Sequence, residues 1–324
     1  MRLPSPLCGV VFALALASPA SAAVLTNGVG DGKVSLTVGN SGAFGSAATG
    51  QGGGLATYDP VGPITPASTT FQSYVYFRIG PSGERTNLSA LAAVATDTST
   101  TSLTSTFSQS GLNFTLLQTL SDLINGGSQT GSLLTQTYSF TNTTNDALTF
   151  ELVRYIDGDL DFDGSLIDGG GRLISGGREI LFETDSATGS ADSATFLGIY
   201  NEGGAGTGFE IDSFSGLRGR IAAGDALDNL ITGDGGDADQ FIDAGQGYDV
   251  TLGLGRTFTL AAGATGSFTT GTIFGSGAPQ DVQLPPTNGA VPEPATWMMM
   301  LLGFGLIGGA VRRRSSHAAL ATTA

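Results

Sequence analysis

The amino-acid sequence predicts an all-β protein: an antiparallel β-sandwich body carrying a single C-terminal transmembrane helix. Three observations lead there. Short segments rich in Val, Ile, Thr, Tyr and Phe alternate apolar and polar side chains with period two. They recur at a spacing of roughly 8–12 residues with Gly, Asn and Asp between them, and no long amphipathic helix or strand–helix–strand alternation interrupts them. Near the end stands an uncharged apolar run of 17 residues, 295–311, which as a helix spans about 26 Å, the short end of what crosses a bilayer.

In chain order, residues 1–22 read as a secretory signal peptide. Arg2 precedes an apolar segment around residues 7–17, and the small-residue site Ala20-Ser21-Ala22 places cleavage after Ala22. The sandwich body occupies residues 23–274. Its first clear strand is 34–38, with strict alternation. Residues 39–54, mostly Gly, Ser and Ala, read as a flexible surface loop. An aromatic and β-branched strand follows at 71–79. Residues 97–110 are nearly all Thr and Ser and fit one polar edge strand.

Strands at 112–120 and 133–141 are separated by the Gly126-Gly127 turn. Residues 142–146 form a turn cluster, so 133–141 and 148–156 are expected to pair as an antiparallel hairpin. On the second of these, Leu148, Phe150, Leu152, Arg154 and Ile156 share one face. Further strands fall at 178–184, 194–200, 208–214, 248–254, 256–261 and 266–274, with a short helical turn within 221–231. Residues 275–290 are a Pro/Gly linker expected to run extended, 291–314 an anchor segment, and 315–324 a cytoplasmic tail. Recurrent Thr-x-Thr pairs have no fixed period and read as exposed strand threonine rather than as an ice-binding solenoid.

Charge and composition exclude several functions. The chain carries −15, and the body is near −18, with nine basic residues against 27 acids. That sign disfavours nucleic acid and anionic lipid, so no nucleic-acid partner is expected. Cys8 is the only cysteine and lies in the leader, so the mature body has no disulfide. His317 is the only histidine and lies beyond the apolar run. The body therefore holds no Ser-His-Asp or Cys-His site and no His-ligated zinc.

Two acidic clusters remain. The first runs Asp157-Gly-Asp159-Leu-Asp161-Phe-Asp163-Gly164, with Asp168 after it. From Asp159 as position one, carboxylates fall at one, three and five and a glycine at six, the first half of a calcium loop. Position twelve is Gly170 where a bidentate Glu belongs, and the cluster follows a strand, not a helix. Four readings fit: a calcium site at Asp157, Asp159, Asp161, Asp163 and Asp168; a solvated turn bonding its own backbone; a glycan site; or a glycosidase carboxylate pair. The second cluster, Asp234, Asp237, Asp239 and Asp243 among glycines, is similar to a single turn of a calcium-binding repeat, or is a Gly-Asp turn.

The end of the chain is more specific. Pro292-Glu293-Pro294 is followed by Trp297, by Met298-Met299-Met300-Leu301, by a glycine-punctuated apolar stretch, and by Arg312, Arg313 and Arg314. The arginines orient the span with its end in the cytoplasm, and Trp297 sits at the opposite interface. Motif, span and basic end in this order resemble the PEP-CTERM sorting signal of exported Gram-negative proteins, a PEPxxW-type segment also called ice-binding-protein C-terminal-like. The resemblance implies an exosortase as partner, which acts near Pro292-Glu293-Pro294. It also implies transient anchoring in the inner membrane, then delivery to the cell surface or outside, linked to exopolysaccharide. This protein is then substrate, not enzyme. The expected role is structural or adhesive in the matrix. The alternative is a calcium-stabilised carbohydrate-binding module, and a third reading is a carboxylate glycosidase.

Overall fold

The computed structural model describes residues 22–50, 52–186, 194–237 and 239–286. Residues 1–21 of the expected signal peptide, the Pro292-Glu293-Pro294 motif, the apolar run 295–311 with Trp297, Arg312–Arg314 and the tail lie outside the described residues. Among the described residues, no helix is long and apolar enough to cross a membrane.

The strands are β1 (Ala23–Thr26), β2 (Val34–Val38), β3 (Ala56–Tyr58), β4 (Ala67–Ser68), β5 (Thr70–Ile79), β6 (Thr86–Asn87), β7 (Val94–Thr98), β8 (Ser102–Gln109) and β9 (Leu112–Asn125). They continue with β10 (Ser128–Asn142), β11 (Leu148–Gly158), β12 (Gly169–Ser175), β13 (Arg178–Thr184), β14 (Ala194–Glu202) and β15 (Ala205–Ser213). After the helix α1 (Leu217–Ala223) come β16 (Val250–Leu260) and β17 (Thr265–Gly277). Every pairing between these strands is antiparallel. Three sheets result: β1-β2-β3-β4, the eight-stranded β12-β13-β14-β17-β10-β9-β8-β7, and the five-stranded β15-β16-β11-β5-β6.

The two larger sheets pack face to face. Phe107, Phe114, Tyr138, Phe140 and Phe268 of the larger meet Phe77, Phe150 and Phe258 of the smaller in one apolar cluster. Phe140 and Phe150 touch edge to face at 5.0 Å, and Phe150 stacks on Phe258 at 5.3 Å. Such aromatic pairs add about 0.5–1.5 kcal/mol each beyond the area they bury. A second cluster lies further along the strands. There Leu103, Leu120, Leu134 and Phe274 pack with Ile156, Leu252 and Leu254, and the small sheet closes over them with Leu25, Leu36 and Val38. The outer face of the five-stranded sheet is covered too, by Leu217 and Ile221 of α1 and by Leu227.

The expected hairpin between 133–141 and 148–156 does not form. β10 pairs with β9 and β17, and β11 pairs with β5 and β16, so neither has a free edge. Residues 142–147 cross from one sheet to the other. Asn142 holds the crossing: its Nδ2 donates to the carbonyls of Asp146 (2.8 Å) and Ala261 (3.0 Å), and its Oδ1 accepts from the Thr144 N–H (2.9 Å). Alternation is the same whether a strand pairs with its neighbour in sequence or faces it across a core. Residues 97–110 likewise form part of the hairpin β7–β8, with β7 the edge, rather than one strand. The strands expected at 248–254 and 256–261 are one strand, β16, and the helical turn sits earlier, at Leu217–Ala223. The linker expected from 275 begins inside β17 and turns once at Pro279–Asp281.

The glycine-rich stretch is not a surface loop over its first half. Residues 38–45 are buried, and Phe44 is fully so. Its main chain lies on the inner face of the eight-stranded sheet. Gln118 Nε2 donates to Gly39 O (2.9 Å), Gln136 Nε2 to Gly42 O (2.7 Å), Tyr138 OH to Ser41 O (3.2 Å) and Ser105 Oγ to Asn40 O. Glycine is required at 42, where φ is +97° and a methyl group would overlap the Tyr138 hydroxyl. Nearby, Arg154 is fully buried and crosses the interior. It donates to Tyr74 O (3.1 Å) and to Thr272 Oγ1 of the opposite sheet (3.0 Å), with its guanidinium 5.7 Å from the Phe44 ring.

Gly42→Ala is therefore expected to destabilise by roughly 3 kcal/mol, combining backbone strain with overpacking. Urea unfolding measures it, and a loss under about 1 kcal/mol would mean that the loop does not pack there.

Candidate functional site

The first acidic cluster sits where β11 ends. Asp157 is the last side chain before Gly158, and its Oδ2 accepts from the Tyr155 hydroxyl at 3.2 Å. The chain then loops through 159–168. Asp163 and Ser165 make local turns, Asp163 Oδ1 accepting from Ser165 N–H and Ser165 Oγ from Ile167 N–H, both at 3.0 Å. Asp168 returns to the fold by a two-way main-chain bridge with Tyr248, at 3.0 and 3.1 Å.

The five carboxylates read from the sequence do not share one place. Asp157 and Asp168 are buried, Asp159 is half-buried, and Asp161 and Asp163 are exposed. Three acids distant in sequence join the buried pair: Glu183 near the end of β13, Asp185 just after it, and Asp249 just before β16. Glu183 shows none of its surface and Asp168 only 1%. Neither Glu183 carboxylate oxygen has a hydrogen-bond partner, nor has Asp168 Oδ1. The Leu160 N–H lies near enough to favour the charged form of Glu183, and Glu183 near enough to favour that of Asp168, but neither contact is a directed bond. Gly158 makes room: a methyl group there would overlap the Glu183 carboxylate. One signal for Glu183 was present in the sequence. It shares the face of β13 that carries the core residue Leu181, an inward position for a charge.

Burial and mutual repulsion raise these groups. Desolvation, then Asp249, pushes the Asp157 carboxyl up to about 7. Desolvation, then Asp163, takes Asp185 to about 6, and desolvation, then Asp159, takes Asp249 to about 6. Burial, then Asp185, raises Asp168, with the nearby Glu183 acting the other way; burial, then Asp168, raises Glu183. Arg218 offsets part of the effect at Asp157, and among the described residues no ion pair involves Asp168 or Glu183.

The second acidic cluster is of another kind. Asp234, Asp237 and Asp239 bring oxygens within 4.8 Å of one another at the surface, the only such triplet among the described residues. Its loop bonds itself: Asp237 Oδ1 accepts from Asp239 N–H (3.2 Å) and Asp239 Oδ1 from Phe241 N–H (2.8 Å).

At the C-terminal end, the family profile of the PEP-CTERM protein-sorting motif matches residues 290–314. The chain carries a PEP-CTERM sorting motif. It marks an exported protein whose membrane-associated sorting is the work of an exosortase. The motif covers the Pro-Glu-Pro, Trp297 and the three arginines read from the sequence. No curated protein matches this chain. Among solved structures, a polysaccharide lyase is similar at 14% identity and TM-score 0.35, over 65% of this chain and 26% of the lyase. A galactose mutarotase-related enzyme from Lactobacillus acidophilus is similar at 7% identity and TM-score 0.40, over 81% of this chain and 100% of that one. This chain thus spans about a quarter of the lyase's length.

A pH dependence follows from the buried acids of this chain. The folded values of Asp157, Asp185 and Asp249 lie above the ordinary value of 3.8, so the folded state holds protons that the unfolded state releases. Their contribution is fully present below about pH 4 and is lost as pH rises through 6 to 7. No body histidine titrates in that window. In a chelator at fixed ionic strength, the thermal midpoint should fall from pH 5 to pH 8. A midpoint that rises over that interval contradicts the arrangement.

Proposed function

We infer that the protein is an exported, non-enzymatic component of the cell surface or extracellular matrix, with a structural or adhesive role beside exopolysaccharide. The observation that carries this reading is the PEP-CTERM motif at 290–314, which assigns the chain to a sorting route. The outer face of the eight-stranded sheet supports it. Thr106, Thr115, Ser139 and Ser267 stand in register across β8, β9, β10 and β17, and Ser108, Asn113, Thr141 and Thr265 form the next row. A shallow depression runs over the β9, β10 and β17 part of both rows. A broad neutral face of hydroxyls and amides suits hydrogen bonding to a hydrated, uncharged polymer, while the acidic body repels anionic surfaces.

A second reading, a calcium-stabilised carbohydrate-binding module, draws on the buried carboxylates. Glycosidase chemistry fits them poorly. A general acid must touch the glycosidic oxygen, and Glu183 and Asp168 expose 0% and 1% of their surface.

Two results test the reading. Pro292→Ala with Glu293→Ala should leave the protein unprocessed in the membrane, as read from the mass of the recovered chain; normal processing would sink the sorting role of the motif. The mature protein should stay with cells that make exopolysaccharide and be shed by a strain unable to make it. Equal retention by both strains would count against the matrix role.

A further inference from the structure

Glu183, Asp185 and Asp249 join the acids of the first cluster where β11 leaves the core. The decisive one is Glu183. Its side chain is entirely buried, both its oxygens lack partners, and they point at the Gly158 backbone among Asp157, Asp168 and Asp249. Asp168, also buried, leaves Oδ1 without a partner on the same cluster. An unpaired buried carboxylate is costly, and two of them side by side more so. A cation removes that cost. Calcium takes six to eight oxygens at about 2.3–2.6 Å in flexible geometry, whereas magnesium demands a tight octahedron. Ligands drawn from four separate segments of the chain suit the larger and more tolerant ion.

We propose that Glu183 and Asp168, with Asp157 and Asp249, form a buried calcium-binding site that ties the two sheets together at one end of the sandwich. The ligands come from both sheets: Asp157 closes β11 and Asp249 leads into β16 of the five-stranded sheet, while Glu183 lies on β13 and Asp168 leads into β12 of the eight-stranded one. Asp159 and Asp185 stand at the rim. The site is not the loop pattern counted from Asp159: Asp161 is exposed and takes no part. The inference deepens the second reading above by naming its ion and ligands. It needs no glycan, and its failure would leave sorting and matrix retention untouched.

The test is thermal unfolding of the full chain in mild detergent, in chelator, in millimolar calcium and in millimolar magnesium. Calcium at about a hundred times its dissociation constant should raise the midpoint by roughly 5–10 °C. Magnesium should raise it much less. Glu183→Gln keeps the shape and removes the charge, so this variant should stay folded in chelator and lose the calcium shift. Asp168→Asn should lose it too. Asp161→Asn and the double variant Asp237→Asn, Asp239→Asn should keep it. Equilibrium dialysis of the unaltered chain should find calcium bound, and should find one ion fewer on Glu183→Gln. No calcium shift and no bound calcium would overturn the site. So would a shift that follows Asp237 and Asp239 rather than Glu183, or an equal shift with magnesium.

Discussion

A main chain taken into the interior must find a partner for every carbonyl and N–H, and much of this fold is arranged around one such segment. Residues 39–45 run between the two large sheets. Each unmet carbonyl there would cost about 1–3 kcal/mol. The inner face of the eight-stranded sheet supplies the donors from Ser105, Gln118, Gln136 and Tyr138. These polar positions lie between apolar ones on the same strands. Leu103, Ser105 and Phe107 follow one another inward on β8, as do Leu116, Gln118 and Leu120 on β9 and Leu134, Gln136 and Tyr138 on β10. The result is a polar girdle that divides the interior into a phenylalanine-rich cluster and an aliphatic one. Arg154 extends the girdle from the facing sheet, reaching Thr272 across the gap and lying beside Phe44, which the buried segment carries in. The small sheet docks where it does because β2 leads directly into that segment.

This also explains which parts of the fold were legible in the sequence. Period-two alternation and β-branched or aromatic composition report that a residue is in a strand, and the strands expected at 34–38, 71–79, 112–120, 178–184 and 266–274 form within β2, β5, β9, β13 and β17. Alternation also placed Arg154 among core residues of β11. Alternation does not report the partner. β10 and β11 carry the turn residues of a hairpin, yet Phe140 and Phe150 face each other across the core instead of lying side by side. The Gly-rich stretch misled for a related reason. Small residues mark flexible loops and also mark backbone that must pass close to other atoms. Only the inward Gln118 and Gln136, two amides on otherwise apolar faces, hinted that buried main chain lay opposite them.

The acidic site divides in the same way. Asp157 and Asp168 could be singled out in the sequence because they belong to one dense local run. Glu183, Asp185 and Asp249 were not, since the topology alone brings the ends of β13 and β11 and the start of β16 together. A pattern counted along the chain assumed that ligands are consecutive. Here the chain's exposed acids, Asp161 and Asp163, fall in the pattern, and the most deeply buried one, Glu183, stands outside it.

The girdle and the carboxylate cluster are two solutions to placing polar groups inside a body without disulfides. In the girdle, neutral amides and hydroxyls meet main-chain carbonyls, and the one full charge, on Arg154, is spread over carbonyl, hydroxyl and ring partners. That arrangement meets the buried carbonyls from within the protein, although Gln136 Oε1 and Arg154 Nε stay unpaired. The cluster is not met in that way. Its acids outnumber any counter-charge nearby, so their neutralisation has to come from outside, as protons or as a metal ion. On the calcium site proposed above, the stability of that end of the sandwich is set by pH and by divalent cations where the protein resides. Because the sorting motif directs the chain out of the cytoplasm, the medium that completes the fold is the one reached after export. Calcium affinities of extracellular modules, about 10⁻⁴–10⁻³ M, are matched to such surroundings. A body that closes fully only there would couple folding to address, the first through Glu183 and its neighbours, the second through the sorting motif.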